Sequence, residues 1–154
     1  KDKAQLEILN DNDHDFLDFN KKNKIFTHRK GVVKINPSKK HSWEKTGEPY
    51  FLPSYVGGDG YILSNFKGNK KSFFCSSHGV GRMYDKNETL KIFKKVSFKK
   101  SLTNKIKLFR YGKDKIKSQN PKAFKSINLV LKSFKKYNLA YPICSLKPLA
   151  SLKA

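Results

Sequence analysis

Residues 76–82 read Ser-Ser-His-Gly-Val-Gly-Arg, a segment that can bring an imidazole close to phosphate. Glycines let the backbone approach a ligand without a Cβ in the way, free backbone N–H groups favour anions, and a guanidinium presents a planar fork to phosphate oxygens. A neutral imidazole, with an unperturbed pKa of about 6.5, is nucleophilic at neutral pH. His78 is therefore a candidate nucleophile, and Arg82 follows it in the same segment.

The same segment also fits an ordinary glycine turn that leads into a helix. Apolar residues recur at helical spacing between residues 88 and 98, which predicts a helix from about Asn87. Taken alone, such a segment is more often a turn than a ligand site. The residues around His78 leave both interpretations open.

Other segments along the chain favour the first interpretation. Residues 28–31 read His-Arg-Lys-Gly, residues 52–58 read Leu-Pro-Ser-Tyr-Val-Gly-Gly, and residues 146–154 read Leu-Lys-Pro-Leu-Ala-Ser-Leu-Lys-Ala. In this order and with these gaps, the chain resembles the C-terminal half of the RtcB family of RNA-splicing ligases, from about Asp13 to its end. The resemblance implies an α/β fold, a mixed sheet with helices, that forms the C-terminal part of the RtcB-type fold.

The resemblance also implies an activity. Members of the family join an RNA 3′-phosphate, or a 2′,3′-cyclic phosphate, to a 5′-hydroxyl, and they use GTP and manganese, Mn(2+). Their active-site histidine lies in a His-Gly-x-Gly-Arg segment, so His78 would form a GMP-histidine intermediate and Arg82 would neutralise the transferring phosphoryl group. The implied partner is RNA, such as tRNA halves or broken RNA ends.

The resemblance further implies a set of nucleotide-binding residues. They are Asp15, Pro53, Ser54, Tyr55, Val56, Gly60, Gly79, Val80, Gly81, Phe124 and Lys153. The chain departs from the family at several of them, because Tyr55 and Gly60 replace serines and Phe124 replaces a tyrosine. Phe124 can still stack on guanine, although one hydrogen bond is lost. Lys153 matches a lysine that contacts the guanine in the family.

His14 stands where the family has a His-Asn pair whose histidine binds manganese. Without the resemblance, it would be read as a surface histidine in an acidic loop. Asp15 replaces the asparagine, and its carboxylate could either add a metal ligand or repel phosphate. The family's other metal ligands lie in Asp-x-x-Cys and Gly-x-Gly-Asn-His segments, neither of which occurs in this sequence.

We therefore expect that this chain alone does not ligate RNA, because its phosphoryl chemistry would lack the metal ion. The chain begins at Lys1 rather than at a methionine and runs directly into an apolar segment, as the interior of a longer protein would. A partner is thus expected, an N-terminal ligase segment in the same protein or in another chain.

The composition limits the classes to which this protein can belong. A chain of 154 residues with 37% apolar residues suits a single domain over residues 1–154. The balance of 34 Lys and Arg against 12 Asp and Glu gives a net charge of +22, which points to a polyanion such as nucleic acid. A biased genome composition could also supply many of these lysines. A non-catalytic remnant that acts as a basic RNA-binding module is therefore the alternative function.

The sequence also bears on location. Cys75 and Cys144 are isolated thiols, which suggests neither a zinc cage nor a disulfide framework. The sequence has no apolar run of transmembrane length and no secretory signal. We expect a cytoplasmic protein without a membrane partner.

Local patterns predict one mixed α/β domain. Strands are predicted at residues 25–27, 32–35, 50–52, 61–63, 72–75 and 106–111, helices at about 87–98 and 121–137, and a final edge strand within 140–152. His28, Arg29 and Lys30 would form a turn that either binds phosphate or is only a charged hairpin tip. His41 lies in a polar loop, residues 37–48, and is given no role.

Overall fold

The computed structural model describes residues 11, 13–35, 43, 45–65, 68–102, 105–110 and 116–153. Most of the predicted polar loop, including His41, lies outside these residues. The described part is a mixed α/β fold with several small sheets, which confirms the predicted fold class. Its strands are β1 (Asp15–Asn20), β2 (Ile25–Lys30), β3 (Val32–Lys34), β4 (Tyr50–Leu52), β5 (Gly60–Ser64), β6 (Cys75–Ser77), β7 (Lys107–Arg110), β8 (Tyr141–Leu146) and β9 (Ala150–Lys153).

The helices are short. They are α1 (Lys86–Ile92), α2 (Phe98–Ser101) and α3 (Ile127–Lys136), with 3₁₀ turns at Lys70–Ser72, Ile116–Gln119 and Pro121–Ala123. The strands form antiparallel pairs β1–β2 and β3–β6, an antiparallel three-stranded sheet in the order β4-β5-β8, and a parallel pair β7–β9. Among the described helices, none has the length and apolar character needed to cross a membrane.

The hydrophobic core joins the three-stranded sheet to helix α3 and strand β3. It consists of Val33, Ile35, Tyr50, Leu52, Leu63, Phe134 and Ala140. The Tyr50 hydroxyl lies 2.7 Å from Ser76 Oγ on β6, and burial raises the pKa of this phenol. Because this hydrogen bond is buried, it ties β6 to the core directly before His78.

The predicted strands around residues 28–31 form, but they do not pair with each other. Strand β2 continues through Lys30, so only Gly31 forms the bend, and the prediction of a turn at residues 28–30 is wrong. The reason is strand β1, which pairs with the whole of β2 and sets Asp15 opposite Lys30. Its sequence, Asp-Phe-Leu-Asp-Phe-Asn, does not alternate regularly, and it was not among the predicted strands.

Both predicted helices are interrupted. Helix α1 begins at the predicted place, where Asp85 and Glu88 form a capping box, but it ends at Ile92 instead of running to residue 98. The chain then turns, and α2 begins with Phe98, which is buried. Residues 121–137 likewise divide into a 3₁₀ turn and α3. The division occurs because Phe124 is extended and pairs with Arg82 in a β-bridge.

Two predicted strands also need correction. Ser72 ends a 3₁₀ turn, residues 73–74 form a hydrogen-bonded turn, and β6 begins only at Cys75. Phe73 has a left-handed backbone, with φ of 54°, and its side chain is 64% exposed, so it is no part of a buried strand. The final segment forms two strands in different sheets, β8 as an edge strand and β9 beside β7.

Two leucines should differ in how much they contribute to the stability of the fold. Leu63 is fully buried in the central strand β5, whereas Leu149 is 86% exposed. We expect Leu63→Ala to lower the free energy of unfolding by about 2–5 kcal/mol, because it leaves a cavity. The control, Leu149→Ala, should change it by less than about 0.5 kcal/mol. If urea unfolding showed equal losses of unfolding free energy in the two variants, the placement of Leu63 in the core would be wrong.

Candidate active site

His78 lies at the open end of the β3–β6 pair. The last residue pair of this ladder is Val32 with Ser77, and the next backbone N–H, that of His78, donates to the Gly31 carbonyl at 3.4 Å. The His78 side chain is exposed. The imidazole is therefore reachable by a ligand rather than enclosed among the phenylalanines of the chain.

The bend at Gly31 brings the backbone against this imidazole. Gly31 has φ of +70°, in the left-handed region that favours glycine. A Cβ at this position would lie 3.6 Å from His78 Nε2. A larger residue would thus strain the backbone, and its Cβ would be in van der Waals contact with the candidate nucleophile.

His14 lies directly beside His78. The two ring centroids are 4.9 Å apart, with the ring planes tilted by 35°. The position of His14 is set by its carbonyl, which accepts a hydrogen bond from Val32 N at 3.2 Å. The fold therefore brings together the predicted metal ligand and the predicted nucleophile, which are distant in the sequence.

Asp15 joins His14 to the Gly31 bend. Its Oδ1 accepts a hydrogen bond from Gly31 N at 2.9 Å and lies 3.4 Å from His14 Nδ1. A proton on Nδ1 that faces the carboxylate would leave the lone pair of Nε2 for a metal ion. The Gly31 amide, followed by the smaller effects of His14 and Lys30, lowers the pKa of the Asp15 carboxyl.

The described residues do not by themselves complete the manganese site that the resemblance implies. Among them, no group of three or more His, Cys, Asp and Glu side chains could hold a metal ion. A manganese site needs several oxygen or imidazole ligands. His14 with Asp15 is therefore at most part of such a site.

A second group of predicted residues surrounds Phe124. The Arg82 guanidinium lies over the Phe124 ring at 4.6 Å from its centroid, and the Tyr55 ring lies 6.3 Å from the same ring. Backbone hydrogen bonds hold this arrangement, because Met83 N donates to Ala123 O at 2.8 Å. The structure thus assembles an aromatic surface from separate parts of the chain.

The Arg82 side chain is held by the protein itself. Its Nε donates to the Tyr84 carbonyl at 2.9 Å, and its Nη2 donates to Thr89 Oγ1 at 3.0 Å and to the Ser118 carbonyl at 2.7 Å. Burial lowers the pKa of this guanidinium. Arg82 therefore has a structural role beside the predicted phosphate-binding role, which stays a prediction.

The two glycines after His78 lie close to Pro53 and Lys125. A Cβ on Gly79 would lie 3.7 Å from the Pro53 carbonyl, and one on Gly81 would lie 3.9 Å from Lys125 Nζ. Val80 between them is buried. Sequence reasoning missed Lys125 as a site residue, although it directly follows Phe124.

A cavity of about 190 Å³ lies beside this surface. Its lining includes the predicted residues Pro53, Ser54, Tyr55, Val56 and Gly60, together with residues 146–148 and 150–151 of the chain's last segment. Ser54 Oγ is buried and has no hydrogen-bond partner among the described residues.

Pockets that enclose a whole small-molecule ligand measure about 300–1,000 Å³, so this one suits only part of a nucleotide, such as the base. The unpartnered Ser54 hydroxyl supplies a polar group that a base could bond. The cavity therefore fits part of the GTP implied by the resemblance. Lys153 lies in β9, opposite Arg110 of β7 and just beyond the lining residues.

The Asp15–Gly31 hydrogen bond predicts that the Gly31 amide responds to protonation of the Asp15 carboxyl. The pKa of Asp15 is lowered in the folded protein. The hydrogen bond therefore contributes its full stability at pH values above the ordinary pKa of 3.8, and this contribution is lost as the pH falls through the lower pKa of the folded state. The Gly31 amide resonance should therefore shift with a midpoint below 3.8. Asp15→Asn, which keeps an acceptor oxygen, should abolish this shift, and a midpoint at or above 3.8 in the unsubstituted chain would refute the interaction.

The hydrogen bonds of Arg82 predict a loss of stability on substitution. Arg82→Gln removes charge-assisted bonds to acceptors in three segments, and such bonds contribute about 1.5–3 kcal/mol each. We expect a loss of at least this size in urea unfolding. Lys91→Gln, on the exposed surface of α1, serves as the control and should cost less than about 0.5 kcal/mol. An unchanged free energy of unfolding in Arg82→Gln would show that these bonds do not hold the segments together.

The family model for tRNA-splicing ligase RtcB matches residues 1–154. The tRNA-splicing ligase RtcB of Methanocaldococcus jannaschii is 26% identical over 140 residues, which cover 86% of this chain and 14% of that protein. The RNA-splicing ligase RtcB of Mycobacterium tuberculosis is 25% identical over 134 residues, which cover 84% of this chain and 31% of that protein.

The chain thus spans less than a third of the length of these relatives. The match nevertheless covers the whole chain, including His14, His78 and the surface around Phe124. The chain belongs to the RtcB family of tRNA-splicing ligases.

Proposed function

We propose that this chain is the C-terminal part of a GTP-dependent RNA ligase that joins an RNA 3′-phosphate, or a 2′,3′-cyclic phosphate, to a 5′-hydroxyl. The observation on which this rests is the exposed His78 imidazole, in contact with His14 and at the start of a glycine segment that leads to Arg82 and Phe124. The names of the relatives, RNA-splicing and tRNA-splicing ligases, support RNA as the substrate.

In the proposed first step, a ring nitrogen of His78 attacks the α-phosphorus of GTP. A nitrogen–phosphorus bond forms, the bond from the α-phosphorus to the bridging oxygen breaks, and pyrophosphate leaves. Where the RNA ends in a 2′,3′-cyclic phosphate, water first adds to the phosphorus, the bond to the 2′-oxygen breaks and a 3′-phosphate results. An oxygen of the RNA 3′-phosphate then displaces the imidazole and takes the GMP group. Finally, the 5′-hydroxyl attacks the activated 3′-phosphorus, and GMP leaves as the RNA strands are joined.

The nucleotide would bind across the cavity and the aromatic surface. Phe124, flanked by Tyr55 and Arg82, offers a face for stacking a guanine base. Ser54 lines the cavity and has a buried, unpartnered hydroxyl that would turn toward the base, and we propose Lys153 as a further contact to the base. The Gly79 and Gly81 amides and the Lys125 ammonium would then stabilise negative charge near His78.

The manganese ion would supply charge for phosphoryl transfer in the complete ligase. Because the described residues contain no metal site of their own, we propose that His14 is one ligand and that an N-terminal ligase segment supplies the others. The same segment, in the same protein or in a partner chain, would then be required for activity. This chain alone would not ligate RNA.

A specific observation also favours the second candidate, a non-catalytic RNA-binding module. The described part of the chain has no group of metal ligands, and Arg82 donates to protein oxygens from two of its three nitrogens. With a net charge of +22, such a chain would still bind RNA. The two functions differ in whether His78 accepts GMP.

Labelling with GTP tests the proposal. The chain, combined with the N-terminal ligase segment, is incubated with α-labelled GTP and manganese, and acid-labile label is measured on the protein. We expect label on His78, because a nitrogen–phosphorus bond hydrolyses in acid, and loss of the label in His78→Ala.

His41→Ala is the matched control, since the sequence gives this histidine no role, and it should keep the label. Equal labelling of His78→Ala and the unsubstituted protein would overturn the proposed chemistry. No labelling in any protein, with RNA binding retained, would favour the non-catalytic module.

A further inference from the structure

A second and larger cavity lies on another part of the fold. Its volume is about 620 Å³, and it lies between the turn that joins α1 to α2, the 3₁₀ turn at Ile116–Gln119 and strand β7. The described lining includes Lys94, Lys95, Phe98, Lys99, Ile116 and Lys117. None of them belongs to the predicted nucleotide site.

The cavity has a positively charged rim and an apolar floor. The described lining includes four lysines and no carboxylate. Phe98 and Ile116 are 7% and 8% exposed, so the floor is part of the packed interior. Like charges around a concave surface with low-dielectric walls strengthen the local potential, which attracts a polyanion.

The cavity wall is bonded to the candidate active site through Arg82. The Ser118 carbonyl, which accepts from Arg82 Nη2, belongs to the same 3₁₀ turn as Ile116 and Lys117. Thr89, the other acceptor of Nη2, lies on helix α1, which leads to Lys94. The guanidinium thus bonds helix α1 and the 3₁₀ turn, the two elements next to the cavity, while it lies over the Phe124 ring.

We propose that this lysine cavity binds the phosphodiester backbone of an RNA strand that extends from the reacting end at His78. Successive phosphates would contact the ammonium groups of the rim, and sugars or base edges would cover the apolar floor. Lysine ammonium groups bind phosphates as point charges, without reading the sequence. The inference deepens the proposed function and rests on it for the choice of RNA over another polyanion.

Replacing the cavity lysines with glutamine tests whether the cavity binds RNA. In the triple variant Lys94→Gln, Lys99→Gln and Lys117→Gln, three positive charges are removed from the rim. The matched control, Lys132→Gln, Lys135→Gln and Lys136→Gln, removes the same charge from exposed positions on α3. Both are made in a His78→Ala background, which cannot accept GMP, and thermal unfolding checks that both remain folded.

The measurement is the affinity for a fluorescent, unstructured oligouridylate, by anisotropy, over a range of salt concentrations. For single strands the slope of log K against log salt changes by about 0.7 per phosphate neutralised. The cavity variant should therefore lose up to about 2 from this slope. The α3 variant should keep most of the original slope. Equal losses in the two variants, or no loss in either, would overturn the proposal.

A competitor distinguishes RNA from an acidic protein. Oligouridylate should displace the probe better than polyglutamate of equal charge, because sugars and bases can cover the apolar floor. Equal displacement would overturn the assignment to RNA. Failure of GMP labelling would instead reject the proposed ligase chemistry. The anisotropy result would still decide whether the cavity binds RNA.

Discussion

The Arg82 guanidinium connects parts of the chain that are not adjacent in sequence. It bonds oxygens of Tyr84, Thr89 and Ser118 and lies over the ring of Phe124. A planar guanidinium with donors in fixed directions can hold several acceptors at once, whereas a lysine ammonium on a flexible stem binds as a single charge. One side chain therefore links the aromatic surface to helix α1 and the 3₁₀ turn at Ile116–Gln119, the two elements next to the lysine cavity.

The histidine pair depends on a different constraint, the bend at Gly31. Its amide is held by the Asp15 carboxylate and its carbonyl accepts from His78 N, so one residue positions both ends of the pair. Asp15 also faces His14. The carboxylate in place of the family's amide thus has a clear structural function in this chain, although it adds negative charge where phosphate would bind.

Net charge and charge placement are separate properties of this protein. The excess of lysine suggests a polyanionic partner, but it does not indicate which lysines act together. The fold gathers Lys94, Lys95, Lys99 and Lys117 around one cavity and leaves the lysines of α3 on an exposed helical surface. Concentrated and dispersed charge can therefore be compared within one chain.

The sequence by itself determined the family, the mixed α/β class, strands β4 and β5 and the start of α1, because motifs and apolar spacing are properties of neighbouring residues. Only the tertiary structure decided that Phe124 is extended and that β1 pairs with β2. It also decided that His14 lies against His78. These features arise from contacts between distant segments, whose backbone hydrogen bonds override local helical or turn preferences, and no local pattern records which distant partner a residue will meet.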